Sequence, residues 1–152
     1  MTRKFVTGVE AIERQLRHLS DKGKDRVSRS ALGGGLTVVR REIKKAAPKE
    51  SGLLKKSIGR RLEKRKGNRP MVAKAGINVG KTRKGKTANR APHGHLVALG
   101  TGWRQRRGGG STGRMPANTF VRDATRSSRA AVLKRMQEFA TKALAREATR
   151  KR

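Results

Sequence analysis

The chain of 152 residues carries 41 lysines and arginines against 10 acidic residues, a formal net charge of +31, and it has no cysteine. Its length fits one domain, the missing thiols exclude disulfides and thiolate metal sites, and no apolar run reaches the length of a membrane span or forms a signal-peptide core after the start. With 33% of residues hydrophobic and 3% aromatic, the core must be thin and made of Leu, Val, Ile and Ala, so oligomerisation would bury useful extra surface.

The first element is an amphipathic helix. Val9, Ile12, Leu16 and Leu19 recur at spacings of three and four and share one face. Thr7 with Glu10 has the spacing of a capping box, and Gly23 is the expected helix end. A second stripe runs through Leu32, Leu36, Val39 and Ile43 and stops before Pro48. Gly33, Gly34 and Gly35 lie inside it, each costing roughly 1 kcal/mol relative to Ala in a helix interior. Either the helix breaks there, or a neighbour packs closely on the bare backbone.

Residues 53–63 and 71–79 read as strands. In the latter, Ala73, Ala75, Ile77 and Val79 alternate with Lys74, Gly76 and Asn78, the pattern of one buried face. Residues 64–70 suit the turn of a hairpin. Two stretches rich in Lys, Arg and Gly follow, 80–92 and 104–115, without apolar periodicity and expected to lack fixed structure until bound. A helix over about 120–148 closes the chain, with Val132, Met136, Phe139, Ala143 and Leu144 as its stripe. The expected fold is α+β: two N-terminal helices, a small antiparallel β-sheet with long basic loops, and a long C-terminal helix. The expected organisation is a single domain over 1–152. Within it, 8–47 is helical, 53–103 holds the sheet and basic loops, 104–118 is a basic Gly-rich loop, 119–148 is helix, and 149–152 is a basic tail.

The chemistry-bearing signals are mostly cationic. Residues 51–122 hold 19 basic side chains and one acid, Glu63. Arg60, Arg61, Lys64, Arg65, Lys66 and Arg69 form one cluster. Lys81, Arg83, Lys84, Lys86 and Arg90 form a second, and Arg104, Arg106, Arg107 and Arg114 a third. Such a chain repels itself when compact, and a polyanion relieves that repulsion. Phosphate contacts need charge but no sequence code, which points to non-specific, salt-sensitive contact with double-stranded DNA or with acidic protein surfaces. Only Trp103 is placed to stack on a base, so single-strand recognition is not indicated.

Other signals are decoys. Gly80-Lys81-Thr82 ends like a phosphate-binding loop, but Ala75 stands where that loop needs Gly, and a basic stretch follows instead of a helix. His93-Gly94-His95 offers two metal ligands with no Cys, Asp or Glu nearby in sequence. No carboxylate pair or Ser/His/Asp arrangement stands out. The expectation is no enzyme, no metal and no cofactor.

Three segments in order carry a resemblance. Ala47-Pro48-Lys49-Glu50-Ser51-Gly52-Leu53-Leu54-Lys55-Lys56-Ser57-Ile58 resembles the a-P-x-x-S/T-G-x-L-x-x-S-i segment of a phage tail-component family. His95-Leu96-Val97-Ala98-Leu99-Gly100-Thr101-Gly102 is similar to its h-x-v-E-f-G-T segment. Met115-Pro116-Ala117-Asn118-Thr119-Phe120-Val121-Arg122-Asp123-Ala124 is similar to its p-a-x-P-F-l-r-p-A lead-in to the last helix. The family includes minor tail protein Z of lambda-like phages and neck or tail-completion proteins, and the likeness spans roughly residues 8–145. Two positions depart from it: Ala98 replaces the family's Glu, and Thr119 its Pro.

Read from the residues alone, these segments are scaffold corners. Pro48 stops the second helix and Gly52 turns the chain into a strand beginning at Leu53. Gly100-Thr101 allows a tight turn, while Pro116 precedes Asn118 or Thr119 as the cap and Phe120 as the staple of the last helix. The resemblance implies a structural virion protein of the head–tail junction, made in the host cytoplasm. It implies a homo-oligomeric ring, six-fold in preference to twelve-fold, touching neighbouring connector, tail-terminator or tail-tube proteins and lying along the DNA path. The alternative that the charge alone supports is a basic RNA/DNA-binding protein of ribosomal or nucleoid type.

Overall fold

A computed structural model of the chain describes residues 9–48, 52–63, 70–78, 91 and 93–150. Thr7 and the segments 64–69 and 79–90, with the expected hairpin turn and the second basic cluster, lie outside the described residues. The chain divides into two compact units, each made of separated pieces: Met1–Val39, Arg60–Lys74 and Ser128–Arg152 in the first, Arg40–Gly59 and Ala75–Ser127 in the second.

The α+β reading holds, with helix dominant. Helix α1 is Val9–Arg17 and α2 is Asp21–Ala46. Gly23 does not end α1. The chain turns earlier, where the Leu19 amide donates to the Leu16 carbonyl (3.1 Å), and Gly23 sits in the first turn of α2. Ser20 caps that helix, its Oγ accepting from the Gly23 amide at 3.3 Å. Asp21 in the first turn and Lys44 and Lys45 in the last complement the helix dipole.

The helix runs unbroken through the three glycines, and a neighbour packs on two of them. A Cβ on Gly34 would meet Phe139 Cγ at 2.8 Å, and one on Gly35 would meet Met136 Cγ at 2.7 Å. Gly33 faces open space. The first unit's core gathers Val27 of α2 with Ala140, Ala143 and Leu144, and Ile12, Leu16, Leu19 and Ala31 pack against it. The α1 stripe is thus spent on this helical core, together with Ala143 and Leu144 of the last stripe, while α2 contributes Val27 and Ala31 rather than the residues of its own stripe.

At the edge of this core Arg26 donates two hydrogen bonds to Glu147, from Nε at 2.7 Å and from a terminal nitrogen. The Glu147 side chain is only 11% exposed, and the guanidinium hydrogen bond holds its carboxyl below the usual carboxylate range. A bidentate charged pair of this kind fixes geometry as well as charge.

After α2 the expectation of a strand from Leu53 fails. Leu53–Ser57 is a short helix, α3, entered through Gly52 at φ 67°, with the Lys56 amide donating to the Gly52 carbonyl (3.1 Å). Ser57, fully buried, closes the turn by donating to the Leu54 carbonyl at 2.7 Å. Strand β1, Ile58–Glu63, follows and pairs with β2, Val72–Ile77. In β2 Val72 and Lys74 are exposed while Ala73, Ala75 and Ile77 are half-buried, the alternation expected. Lys74 pairs with Glu63 across this sheet at 2.9 Å.

The second unit continues with α4, Gly94–Leu99. Residues 104–115 are not the shapeless loop expected. Strands β3, Arg104–Gln105, and β4, Ser111–Gly113, form an antiparallel hairpin with Arg104 opposite Gly113 and Gln105 opposite Ser111. Glycines supply the turn, where the Arg106 amide donates to the Gly110 carbonyl (2.9 Å). The final helix is also two. Helix α5, Phe120–Ser127, stops at Ser128, and α6, Arg129–Arg150, restarts with the Val132 amide donating to the Ser128 carbonyl (2.9 Å). Ser127 turns its hydroxyl onto the Ala124 carbonyl (3.2 Å), the local competition with helix bonding that serines offer.

Candidate functional site

The three sequence segments meet in the second unit. The α3 segment reaches α4 where Gly94 has no side chain to spare: a Cβ there would stand 2.5 Å from Ile77 Cγ2 and 3.3 Å from Leu54 Cδ1. The other end of α4 is tied to the lead-in of α5. The Asn118 amide donates to the Val97 carbonyl (3.0 Å), the Thr101 amide to the Met115 carbonyl (2.9 Å), and the Met115 amide to Thr101 Oγ1 (3.2 Å). Gly100 makes this approach possible. At φ 74°, ψ −179° it occupies backbone space that is essentially glycine's alone, and a Cβ would lie 2.7 Å from the Ala117 nitrogen.

The lead-in then caps α5. Asn118 Oδ1 accepts from the Phe120 amide (3.2 Å), and Thr119 donates its hydroxyl to Asp123. That hydroxyl, with Arg122 beside it, keeps Asp123 below the usual carboxylate range. Phe120 is buried, as are Ile43, Ala47, Ile58 and Ala124 of the same unit. Arg40 of α2 donates to the Ile58 carbonyl at 3.2 Å, fastening the end of α2 to the start of β1. Pro48 follows buried Ala47, just beyond the end of α2, and is half-buried; Leu53 and Pro116 are exposed.

The basic clusters are distributed over both units. Arg60 and Arg61 are exposed in the first. Arg60 is partly engaged, donating to the Gly33 carbonyl (3.1 Å) and to Thr37 Oγ1. Arg104, Arg106, Arg107 and Arg114 are exposed on or beside the β3–β4 hairpin of the second unit. Lys64, Arg65, Lys66, Arg69, Lys81, Arg83, Lys84, Lys86 and Arg90 lie outside the described residues.

Beside the Gly100–Thr101 turn is an open groove of about 310 Å³ lined by Leu99, Gly100, Thr101, Trp103, Arg114 and Met115, among others. Leu99 is 78% and Trp103 79% exposed. Sequence reasoning weighed Trp103 only as a base stacker and did not pair it with Leu99. Their spacing of four on either side of Gly-Thr-Gly was the available signal.

His93 and His95 are exposed on either side of buried Gly94. Among the described residues no group of three or more His, Cys, Asp or Glu could hold a metal ion, and no helix is long and apolar enough to cross a membrane.

Comparison with known proteins bears on this arrangement directly. Curated proteins and solved structures return no match. The family model described as "Bacteriophage HK97-gp10, putative tail-component" matches residues 10–100. That span takes in α1 from its second residue through α4, the first of the three segments and the second as far as Gly100, and it favours the tail-component reading over a ribosomal or nucleoid protein. The matched span is more than half of the chain, and the chain belongs to this HK97 gp10-like family of phage tail components.

Proposed function

We propose that the chain is a structural, non-catalytic virion protein of the phage head–tail junction, acting in the neck or in tail completion. It assembles as a homo-oligomeric ring, six-fold in preference to twelve-fold, between connector and tail. The ring lies along the path of double-stranded DNA and touches connector, tail-terminator or tail-tube neighbours. The observation that carries this is the charge distribution on a tail-component fold: between Glu63 and Asp123 there is no acidic residue at all, so beyond the pairs that Lys74 and Arg122 make with those two bounding acids, the segment brings no carboxylates of its own to its cations. A duplex, with one negative charge per roughly 1.7 Å of axis, is the densest partner for such a surface.

Two measurements test it. Size-exclusion chromatography with light scattering should show a closed ring. Double-stranded DNA binding across a salt series should show a steep negative slope of log affinity against log salt. Replacing Arg104, Arg106 and Arg107 together by Gln should flatten that slope by about 0.9 for each phosphate that is no longer neutralised. A monomer at all concentrations removes the ring. A flat salt series, or loop variants indistinguishable from the parent, removes the DNA path.

A further inference from the structure

The Leu99–Trp103 groove is not explained by contact with a duplex. The chain has one tryptophan and a thin core, yet that tryptophan stands in water with Leu99. Large apolar side chains left together at a surface mark places where another surface is meant to lie. The backbone under them is fixed, because Thr101 and Met115 hold each other through two hydrogen bonds and Gly100 fits closely against Ala117. The patch is therefore presented on a rigid turn. Its charged neighbours are basic: Arg114 lines the groove, Arg104 follows Trp103 directly, Arg106 and Arg107 come next on the same hairpin, and all four are exposed.

We propose that this groove docks an acidic segment of a different protein. An apolar side chain of that segment sits on Leu99 and Trp103, and its carboxylates meet the flanking arginines. This rests on the reading of the chain as a virion component that assembles with neighbours. A central apolar anchor of Trp with Arg around it is the composition of protein–protein hot spots. A DNA duplex presents phosphates and sugars, so it would engage the arginines and leave Leu99 and Trp103 wet. A second copy of this chain is a poor occupant, because it has ten acidic residues in all and seven of them are already used. Glu13, Asp21, Glu42, Glu63, Asp123, Glu138 and Glu147 each pair with a lysine or arginine of the same chain.

Trp103 itself reports the test, being the only tryptophan. The full chain is titrated with a short capped peptide in which glutamates flank a central Leu-Phe pair. A control peptide of equal charge has serines in place of that pair, and duplex DNA is the third titrant. The Leu-Phe peptide should move the Trp103 emission to shorter wavelength and shield it from acrylamide. The serine control should bind about tenfold or more weaker, the factor expected from burying one large apolar side chain. Leu99→Ser, at an exposed position, should weaken the Leu-Phe peptide by about tenfold and leave the control unchanged. Arg114→Gln should weaken both peptides. Equal shielding by the control peptide or by DNA would overturn the proposal in favour of charge alone or of nucleic acid, and no shielding by any titrant would also overturn it. Because the assay uses the isolated chain and no phage part, its failure is separable from failure of the ring or of the DNA path.

Discussion

Three consecutive glycines show how differently identical residues can be used. Gly34 lies under the Phe139 ring, and the contact falls at the root of that ring, which cannot swing aside freely. Overpacking costs roughly 1–3 kcal/mol and exceeds most of the gain in helix propensity, about 1 kcal/mol, so Gly34→Ala should lower stability. Gly33 faces open space, and Gly33→Ala should raise stability by about 0.5–1 kcal/mol. Urea midpoints of the two variants, moving in opposite directions from the parent, check this contrast. Equal movement would mean that α2 and α6 do not meet there. The sequence posed the question correctly, as a break or a close neighbour. It could not choose, because the choice depends on Phe139, more than a hundred positions away.

Between elements, the Arg26–Glu147 pair joins α2 to α6, and its pH dependence has a definite sign. Glu147 is held below its ordinary value in the folded chain, so it binds protons less readily there than in the unfolded chain, where a glutamate titrates near 4.3. Its stabilisation is complete above that value and is lost as pH falls through the depressed folded value. Urea midpoints measured from pH 6 down to about 3 should therefore fall less steeply for Glu147→Gln than for the parent. Asp123 and Glu42, both also depressed by donors beside them, keep part of the slope in the variant. An unchanged slope would show that the pair is not formed in solution.

Elements were legible where apolar periodicity was strong and opaque where backbone chemistry decided. The stripes of α1, α2 and α6 and the alternation in β2 gave those elements directly. The helical turn Leu53–Ser57 was hidden because Leu-Leu-Lys-Lys-Ser has no period long enough to read, and Gly52 and the Ser57 hydroxyl settle it. The break at Ser128 was hidden because the apolar spacing continues across it. The hairpin at 104–113 escaped because its strands are too short to alternate. The ordered corner segments gave more of the candidate site than the charge did. The second and third meet through backbone hydrogen bonds and the first packs beside them at Gly94, whereas the cations are spread over both units.

At the scale of the whole molecule, net charge sets the response to salt. With +31 on 152 residues, repulsion between like charges opposes the compact state at low ionic strength, where the Debye length is about 30 Å at 0.01 M. Raising salt to about 0.15 M shortens that length to about 8 Å and screens the repulsion more than it weakens the few ion pairs. The melting temperature should therefore rise with sodium chloride over this range, as read by circular dichroism. A fall would mean that the ion pairs outweigh the repulsion.

The separation of the first unit's pieces along the chain has a consequence during translation. Val27 cannot be covered until Ala140, Ala143 and Leu144 have left the ribosome, because they complete its surroundings. The nascent α1 and α2 therefore wait through synthesis of more than ninety residues, from Ala46 to Ala140, with their apolar faces uncovered. A chain released early would carry every cation of the middle segment and an open helical face at once. Such a product is exposed to aggregation and to non-specific capture by cellular RNA. The first unit can therefore close only after every residue of the second has been made.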